Sequence, residues 1–166
     1  MTSLHTPRWV ELEGEVVPVA ELVAPLSGAR CVLYDVSLAL GQRLRDGLAG
    51  HRREVAGARF LMHGAEGPVL VEMSRASVRL RRGAVRRLRL GDEPAADERV
   101  RALYERLGRT LPRRRLVAGR ERRLVAGDRV RVVGLLEDVP DARGLPGGYR
   151  SPPLQPFLEA VEVRAL

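Results

Sequence analysis

A stretch near the amino terminus most strongly constrains the fold of this 166-residue chain. Residues 13–19 have the character of a β-strand, and residues 30–40 alternate regularly between apolar and other side chains. Between them, Pro25 to Gly28 supply the residue types of a tight turn, since proline presets φ and glycine accepts a positive φ. We therefore expect the two strands to form the first hairpin of a β-protein, joined at a sharp corner.

The alternation over residues 30–40 predicts which face of this strand is buried. Side chains of a strand point to opposite faces in turn, so a uniformly apolar set indicates the core side. That set is Val32, Tyr34, Val36, Leu38 and Leu40. The opposite face carries Cys31, Leu33, Asp35, Ser37 and Ala39.

Five further segments have strand character. Residues 58–63 and 69–73 predict a hairpin whose turn spans 64–68, and residues 77–90 alternate in two pieces separated at Gly83. Residues 128–137 and 157–163 predict two late strands. The intervening segments are expected to be a polar loop (42–53), a basic connector (112–123) and a long loop rich in proline and glycine (138–156).

One segment, residues 97–108, has the periodicity of an amphipathic helix. Val100, Leu103, Tyr104 and Leu107 recur at intervals of three and four residues, which places them on one stripe. Asp92 or Asp97 is expected to cap the start, and Gly108 suits the position just after the end.

The order of these elements predicts a mainly β fold with one helix. A helix between the third and fourth major strands of a small antiparallel barrel is the arrangement of an OB-like fold. The alternative is an open α+β sheet with the helix packed over one face. Residues 1–10 are interpreted as an amino-terminal extension, with Trp9 as an anchor, and residues 11–166 as a single domain.

Several segments together resemble the GIDE domain, which is described as lying beside a membrane. The family occurs in mitochondrial E3 ubiquitin ligases of the MULAN type and in many bacterial proteins. The residues that carry the resemblance are Glu13, Gly14, Val16, Ala24, Pro25, Leu26, Ser27, Gly28, Cys31, Val32, Tyr34, Arg59, Phe60, Leu61, Gly67, Val69, Leu70, Val71, Glu121, Leu124, Gly127, Asp128, Val130, Val133 and Gly134. The similarity extends over roughly residues 11–164.

The resemblance implies a regulatory or partner-binding domain of a bacterial protein. The chain lacks the family's RING module, because one cysteine cannot build it, and it lacks the flanking transmembrane helices. Ubiquitin-ligase activity is therefore not implied, and the family supplies no catalytic residues to transfer.

The sequence does not predict an enzyme or a cofactor site. Cys31, the only cysteine, lies in a predicted strand and is expected to pack as a buried thiol. Ser27 lies in a turn that lacks the nucleophile-elbow pattern, and no glycine-rich phosphate loop opens a helix. His5, His51 and His63 do not have the spacing of metal ligands. We expect no catalytic residue, no cofactor and no metal.

The formal net charge of +8 is the more informative feature. A positive field of this size attracts nucleic acids, anionic lipids or acidic proteins without choosing among them. All basic residues are arginine, which a GC-rich genome also favours, so the charge has a compositional explanation as well. Two clusters form the candidate binding patch: Arg79, Arg81, Arg82, Arg86, Arg87 and Arg89, and Arg113, Arg114, Arg115, Arg120, Arg122 and Arg123.

The leading hypothesis is a non-catalytic module for protein interaction or regulation that works near a membrane. Its partner surface is expected on the loops at 42–53 and 138–156, since loops on a rigid scaffold commonly carry binding sites. The alternative is an OB-like nucleic-acid-binding protein that uses the arginine clusters. A third hypothesis is association with an anionic membrane surface. No signal peptide or spanning helix is evident, so a cytoplasmic location is expected, with or without peripheral membrane attachment.

Overall fold

A computed structural model of the chain describes residues 6–39, 51–74, 76–81, 83–111, 116–140 and 154–166. The elements, in chain order, are β1 (Arg8–Pro18), β2 (Leu22–Val23), β3 (Arg30–Cys31), β4 (Leu33–Ala39), β5 (His51–Gly57), β6 (Phe60–Gly64), β7 (Gly67–Glu72), β8 (Ser77–Arg79), β9 (Ala84–Arg89), α1 (Pro94–Arg106), β10 (Leu116–Leu124), β11 (Arg129–Pro140) and β12 (Leu154–Ala165).

The chain divides into two units that are each discontinuous in sequence. The first, called the barrel unit, comprises Met1–Ala20, Ala58–Arg79 and Ala126–Leu166. The second, called the sheet unit, comprises Glu21–Gly57 and Leu80–Val125. Each of the two segments of the sheet unit is thus inserted between two consecutive segments of the barrel unit. The assignment of residues 11–166 to a single domain stays a prediction.

Five of the six described strands of the barrel unit close into a barrel, and the sixth, β8, pairs in parallel with β12. The hydrogen-bonded order of the barrel is β11-β1-β6-β7-β12, and β12 pairs with β11 to complete the circle. The pairing of β7 with β12 is parallel, whereas the other four pairings are antiparallel. In chain order of the barrel strands this is 1-2-3-5-4-1, and α1 falls between the third and fourth. The predicted OB-like barrel is confirmed.

The barrel interior is filled by the apolar side chains that point inward from alternate positions of its strands. Val16, Phe60, Met62, Val132 and Leu158 are all buried and come from different positions around the circle. Gly14 is required where β1 approaches β6. A Cβ atom there would lie 2.6 Å from the Met62 side chain and 2.7 Å from the His63 carbonyl oxygen. This close approach explains why a glycine interrupts the first strand.

The sheet unit is an open antiparallel sheet with a helix packed on one face. Its strand order is β5-β4-β10-β9. The buried residues Val100, Leu103 and Tyr104 of α1 belong to one apolar cluster with residues of the sheet and of the corner at 24–31. The sheet residues of that cluster include Tyr34, Val36, Leu38 and Val117. The open sheet that the sequence suggested as an alternative for the whole chain therefore describes this unit.

The turn at Pro25–Gly28 is held by a buried carboxylate from a distant strand. Glu121 on β10, which is 4% exposed, accepts hydrogen bonds from the backbone N–H of Leu26 at 2.7 Å and of Ser27 at 3.2 Å. Gly28 adopts a φ of 69°, as the turn chemistry predicted. The turn lies between β2 and β3, which pair with each other.

The predicted first hairpin of the barrel is wrong for a topological reason. β1 pairs with β11 and β6 in the barrel unit, whereas the strand at residues 30–39 pairs within the sheet unit. The corner at Pro25–Gly28 therefore belongs to the small β2–β3 hairpin. Local turn chemistry identified the corner, but strand partners are set by contacts distant in sequence.

Several predicted boundaries also differ from the structure. Residues 116–124 form β10, not a connector, because the core-facing side of this strand carries Gly119 and Glu121 and hides the apolar alternation. Residues 51–53 belong to β5, and residues 138–140 and 154–156 belong to β11 and β12. The rest of the two predicted loops, 42–50 and 141–153, lies outside the described residues.

The helix begins and ends earlier than expected. It runs from Pro94 to Arg106, its N-cap position is Glu93, and no side chain caps it. Asp97 instead accepts hydrogen bonds from the backbone N–H of Gly91 at 2.8 and 3.0 Å. The predicted capping role of Asp92 or Asp97 is therefore wrong. Gly108 follows the C-cap residue with a φ of 66°, as predicted.

We expect Glu121→Ala to lower the free energy of unfolding by about 2–4 kcal/mol, because it leaves the buried N–H of Leu26 and the partly buried N–H of Ser27 without an acceptor. Glu121→Gln keeps one acceptor oxygen and is expected to lose about half as much. Urea unfolding followed by circular dichroism measures both changes. Glu98→Ala, at an exposed position of α1, is the matched control. Equal midpoints for Glu121→Ala and Glu98→Ala would contradict the structural role of this carboxylate.

Candidate arginine-rich binding face

The face of the sheet that points away from the core cluster carries five arginines from three strands. Residues paired across neighbouring strands share a face, and in this sheet the core side holds Tyr34, Val36, Leu38 and Val117. The arginines on the opposite side are Arg53 on β5, Arg87 and Arg89 on β9, and Arg120 and Arg122 on β10. These five residues are called the arginine face.

A buried carboxylate, Asp35, lies at one side of the arginine face. It is 1% exposed and accepts two hydrogen bonds from Arg53, at 2.8 and 3.0 Å, while Nε of Arg122 lies 3.5 Å from its second oxygen. The hydrogen bond to Asp35 raises the pKa of Arg53. A bidentate pair satisfies a buried carboxylate that would otherwise be costly to desolvate. Asp35 therefore holds Arg53 and Arg122 in place and neutralises one of their charges.

Three members of the arginine face have no counter-charge within the described part of the chain. Arg87, Arg89 and Arg120 are exposed, and none of them forms an ion pair with another described residue. Unpaired guanidinium groups keep all their hydrogen-bond donors available in a rigid fork that fits carboxylate or phosphate. The β9 side of the face is therefore the more strongly positive side.

Exposed aliphatic side chains lie between these charges. Val85 is 58% exposed, Leu116 is 59% exposed and Val55 is 41% exposed, and the strand registers place all three on the arginine face. No aromatic side chain accompanies them on the described strands of this face. Arginine is enriched at protein interfaces, whose cores are apolar, whereas single-stranded nucleic acid is commonly bound by stacking on aromatic rings.

The structure brings together four of the twelve arginines named from the sequence, namely Arg87, Arg89, Arg120 and Arg122. Arg79 lies in the barrel unit, 3.7 Å from Glu162. Arg86 and Arg123 lie on the core side of the sheet, and Arg81 is exposed before β9 begins. Arg82, Arg113, Arg114 and Arg115 lie outside the described residues.

Sequence reasoning missed Arg53, because the segment that contains it was assigned to a loop. Residues 53–56 do not alternate between polar and apolar side chains, so the periodicity of the sequence does not identify a strand there. Asp35 was assigned correctly to the face opposite the core. Its burial depends on Arg53 and Arg122 from the flanking strands, which only the sheet order reveals.

On the core side of the sheet, a group of three polar side chains joins the sheet to the end of α1. Glu54 accepts hydrogen bonds from Tyr34 Oη at 2.7 Å and from Arg106 at 2.8 and 3.0 Å. Burial alone would raise the pKa of Glu54, but the hydrogen bonds from Arg106 and Tyr34 outweigh it and lower that pKa. Burial, followed by the bond to Glu54, raises the pKa of Tyr34 to about 12. At neutral pH the carboxylate of Glu54 is therefore ionised and the phenol of Tyr34 is protonated.

We expect Glu54→Gln to destabilise the protein at neutral pH and to have less effect in acid. A carboxylate whose pKa is lowered by folding contributes stability that is present above its ordinary value of 4.5 and is lost as the pH falls through the folded value. The expected loss is about 0.5–1 kcal/mol near pH ~7, discounted for solvent screening, and smaller near pH ~3.

Urea unfolding at the two pH values measures this difference. Glu105→Gln, at an exposed position of α1, is the matched control and is expected to change the unfolding midpoint little at either pH. A Glu54→Gln effect that is equal at both pH values would show that the ionised carboxylate is not the stabilising group.

The other candidate side chains have structural contacts. Burial, followed by the charge of Glu121, raises the pKa of the Cys31 thiol to about 11, so the thiol is protonated at neutral pH. Its sulfur lies 3.7 Å from the Leu22 carbonyl oxygen, to which it donates. Ser27 Oγ accepts a hydrogen bond from the backbone N–H of Ala29 at 3.2 Å. Both side chains support the β2–β3 hairpin.

The histidines are not grouped by the described structure. His63 is exposed on β6, where it pairs with Glu15 and Pro68, while His5 and the side chain of His51 lie outside the description. Over the described ranges, no group of three or more His, Cys, Asp or Glu residues is arranged to hold a metal ion.

A pocket of about 230 Å³ lies in the barrel unit, beside the β6–β7 turn. Glu11, Glu13 and Glu66 give it an acidic lining. Arg131 partly neutralises that lining, since it lies 3.3 Å from Glu11 and 2.6 Å from Glu13. The barrel unit therefore has an acidic rim, whereas the sheet unit has a basic face.

In the described segments, no helix has both the length and the apolar content needed to cross a bilayer. Comparisons of the chain with protein-family models, with curated proteins and with solved structures found no match.

Proposed function

We propose that this protein is a non-catalytic interaction module whose arginine face binds an acidic surface of a partner protein. The observation that carries the proposal is a set of three arginines, Arg87, Arg89 and Arg120, that form no ion pair with a described residue. They lie on one sheet face with exposed aliphatic side chains between them. Arginine and aliphatic groups together favour a protein partner, because apolar contacts supply affinity and guanidinium groups supply orientation.

The proposal includes a regulatory role in the cytoplasm close to a membrane, in keeping with the resemblance to the GIDE domain. Membrane proximity is supported by that resemblance and by the net charge of +8, which anionic headgroups attract. The non-catalytic part is supported by Cys31 and Ser27, the two residues with nucleophilic side chains considered above, since both are engaged in the β2–β3 hairpin.

The test is partner capture with a charge-matched control. The variant R87Q/R89Q/R120Q removes three positive charges from the arginine face, whereas R8Q/R101Q/R109Q removes three exposed charges elsewhere, so both lower the net charge of +8 equally. We expect cross-linking capture from the native host at physiological salt to recover one acidic protein with the parent chain and with the control variant. Recovery with the face variant is expected to fall about tenfold or more, which corresponds to about 1.4 kcal/mol.

Two results would overturn the proposal. One is the recovery of no protein partner by the parent chain, and the other is equal recovery by the face variant and by the control. Cross-links located on β9 or β10 would assign the contact to the arginine face. Flotation with vesicles that contain or lack anionic lipid separates attachment to a membrane from attachment to a protein.

A second candidate function is binding of single-stranded nucleic acid, and the barrel closure favours it. OB-like barrels commonly bind nucleic acid, and unpaired arginines can contact phosphates. In that case labelled-oligonucleotide anisotropy is expected to show binding that weakens steeply with salt. The R87Q/R89Q/R120Q variant would reduce the salt slope by about 2, at about 0.7 per lost phosphate contact. Unchanged anisotropy at micromolar protein and low salt would exclude this function.

A further inference from the structure

Strand β9 forms an edge of the sheet in the sheet unit. Within the described structure it pairs only with β10, from Ala84 opposite Glu121 to Arg89 opposite Leu116. An edge strand has a row of backbone N–H and C=O groups on its free side, which is a template for another strand. The β9 edge is therefore able to accept an extended segment by main-chain hydrogen bonding.

The side chains of β9 make its two faces different. Val85, Arg87 and Arg89 lie on the arginine face and are exposed. Leu88 and Arg86 lie on the opposite face, and Leu88 is partly buried against the core cluster. A strand added beside β9 would place alternate side chains next to these two sets. The fitting sequence has acidic residues on the side of Arg87 and Arg89 and an apolar residue beside Leu88.

The opposite edge of the sheet, β5, differs in its charges. Arg53 is bonded to Asp35, and Glu54 is bonded to Tyr34 and Arg106, so of the two arginines on this strand only Arg52 forms no ion pair with a described residue. On β9, Arg87 and Arg89 form no ion pair with a described residue. Charge complementarity therefore selects the β9 edge for an acidic partner.

The same charges disfavour a second copy of this chain at that edge. Antiparallel pairing of β9 with β9 would bring arginines from both strands onto neighbouring positions, and like charges opposite each other destabilise a sheet. An acidic strand from another protein has the reverse effect, because each carboxylate is placed beside a guanidinium group.

We propose that an extended acidic segment of the partner protein pairs with β9 and becomes a fifth strand of this sheet. This inference rests on the proposed function and adds the mode of recognition. The main-chain bonds to β9 supply affinity, while acidic side chains opposite Arg87 and Arg89 and apolar side chains beside Leu88 supply specificity. The segment spans the six residues of β9.

The probe is an acetylated peptide in which glutamate and valine alternate over the length of β9. Its affinity for the full chain is measured by fluorescence anisotropy, beside a peptide of the same sequence with every backbone amide N-methylated. The methylated peptide keeps the charge but cannot donate main-chain hydrogen bonds. We expect it to bind about tenfold more weakly or worse, because the strand pairing is lost.

Amide hydrogen exchange supplies a positive readout. The unmodified peptide is expected to slow exchange in residues 84–89 and to leave β5 unchanged. The R87Q/R89Q/R120Q variant is expected to bind the unmodified peptide about tenfold more weakly, and the R8Q/R101Q/R109Q control to bind it as the parent chain does.

The outcomes separate the two proposals. Strand addition would be overturned if the two peptides bound equally well, or if the peptide did not slow amide exchange in β9. If the R87Q/R89Q/R120Q variant still weakened binding in that case, the proposed function would stay in place. Binding that the face variant does not weaken would overturn both. The chain could also sediment as a dimer before the peptide is added and then bind no peptide. That result would show that a second copy occupies the β9 edge, and it would overturn strand addition.

Discussion

The sheet unit depends on the buried carboxylate of Glu121. Its two oxygens accept the backbone N–H groups of Leu26 and Ser27, so a central strand holds the corner that precedes β3. A buried carboxylate is tolerated only when such donors satisfy it, and donors without it would be equally costly. The contact joins residues that are 95 positions apart, and it therefore connects the two inserted segments from which this unit is built.

Strand β10, which carries Glu121, stabilises the fold with one face and presents positive charge on the other. Glu121 points to the core side of β10, while its neighbours Arg120 and Arg122 point to the arginine face. Arg122 is held by Asp35, whereas Arg120 forms no ion pair with a described residue and lies across from Val85 of β9. A period-two strand thus supports the fold with one face and presents positive charge with the other.

Local patterns were sufficient for much of the barrel. The hairpin at residues 60–72 and the late strands follow from period-two alternation with turn residues between, and the position of the helix follows from its 3.6-residue period. Strand β10 was missed because Gly119 and Glu121 occupy core-facing positions that usually hold apolar residues. Gly119 cannot be replaced readily, since a Cβ atom there would lie 2.8 Å from the Leu26 side chain and from the Ser37 carbonyl oxygen.

By itself, the sequence determined the mainly β class, the position of the one described helix between the early and late strands, and the two arginine clusters, because each follows from neighbouring residues and their periodicity. Only the tertiary structure decided that β1 and β4 belong to different units, that Asp35 is enclosed by Arg53 and Arg122, and that Arg87, Arg89 and Arg120 share a face. The physical reason is that strand partners and register depend on contacts between residues far apart in the chain. A strand's own alternation indicates which side is buried, but not which strand lies next to it.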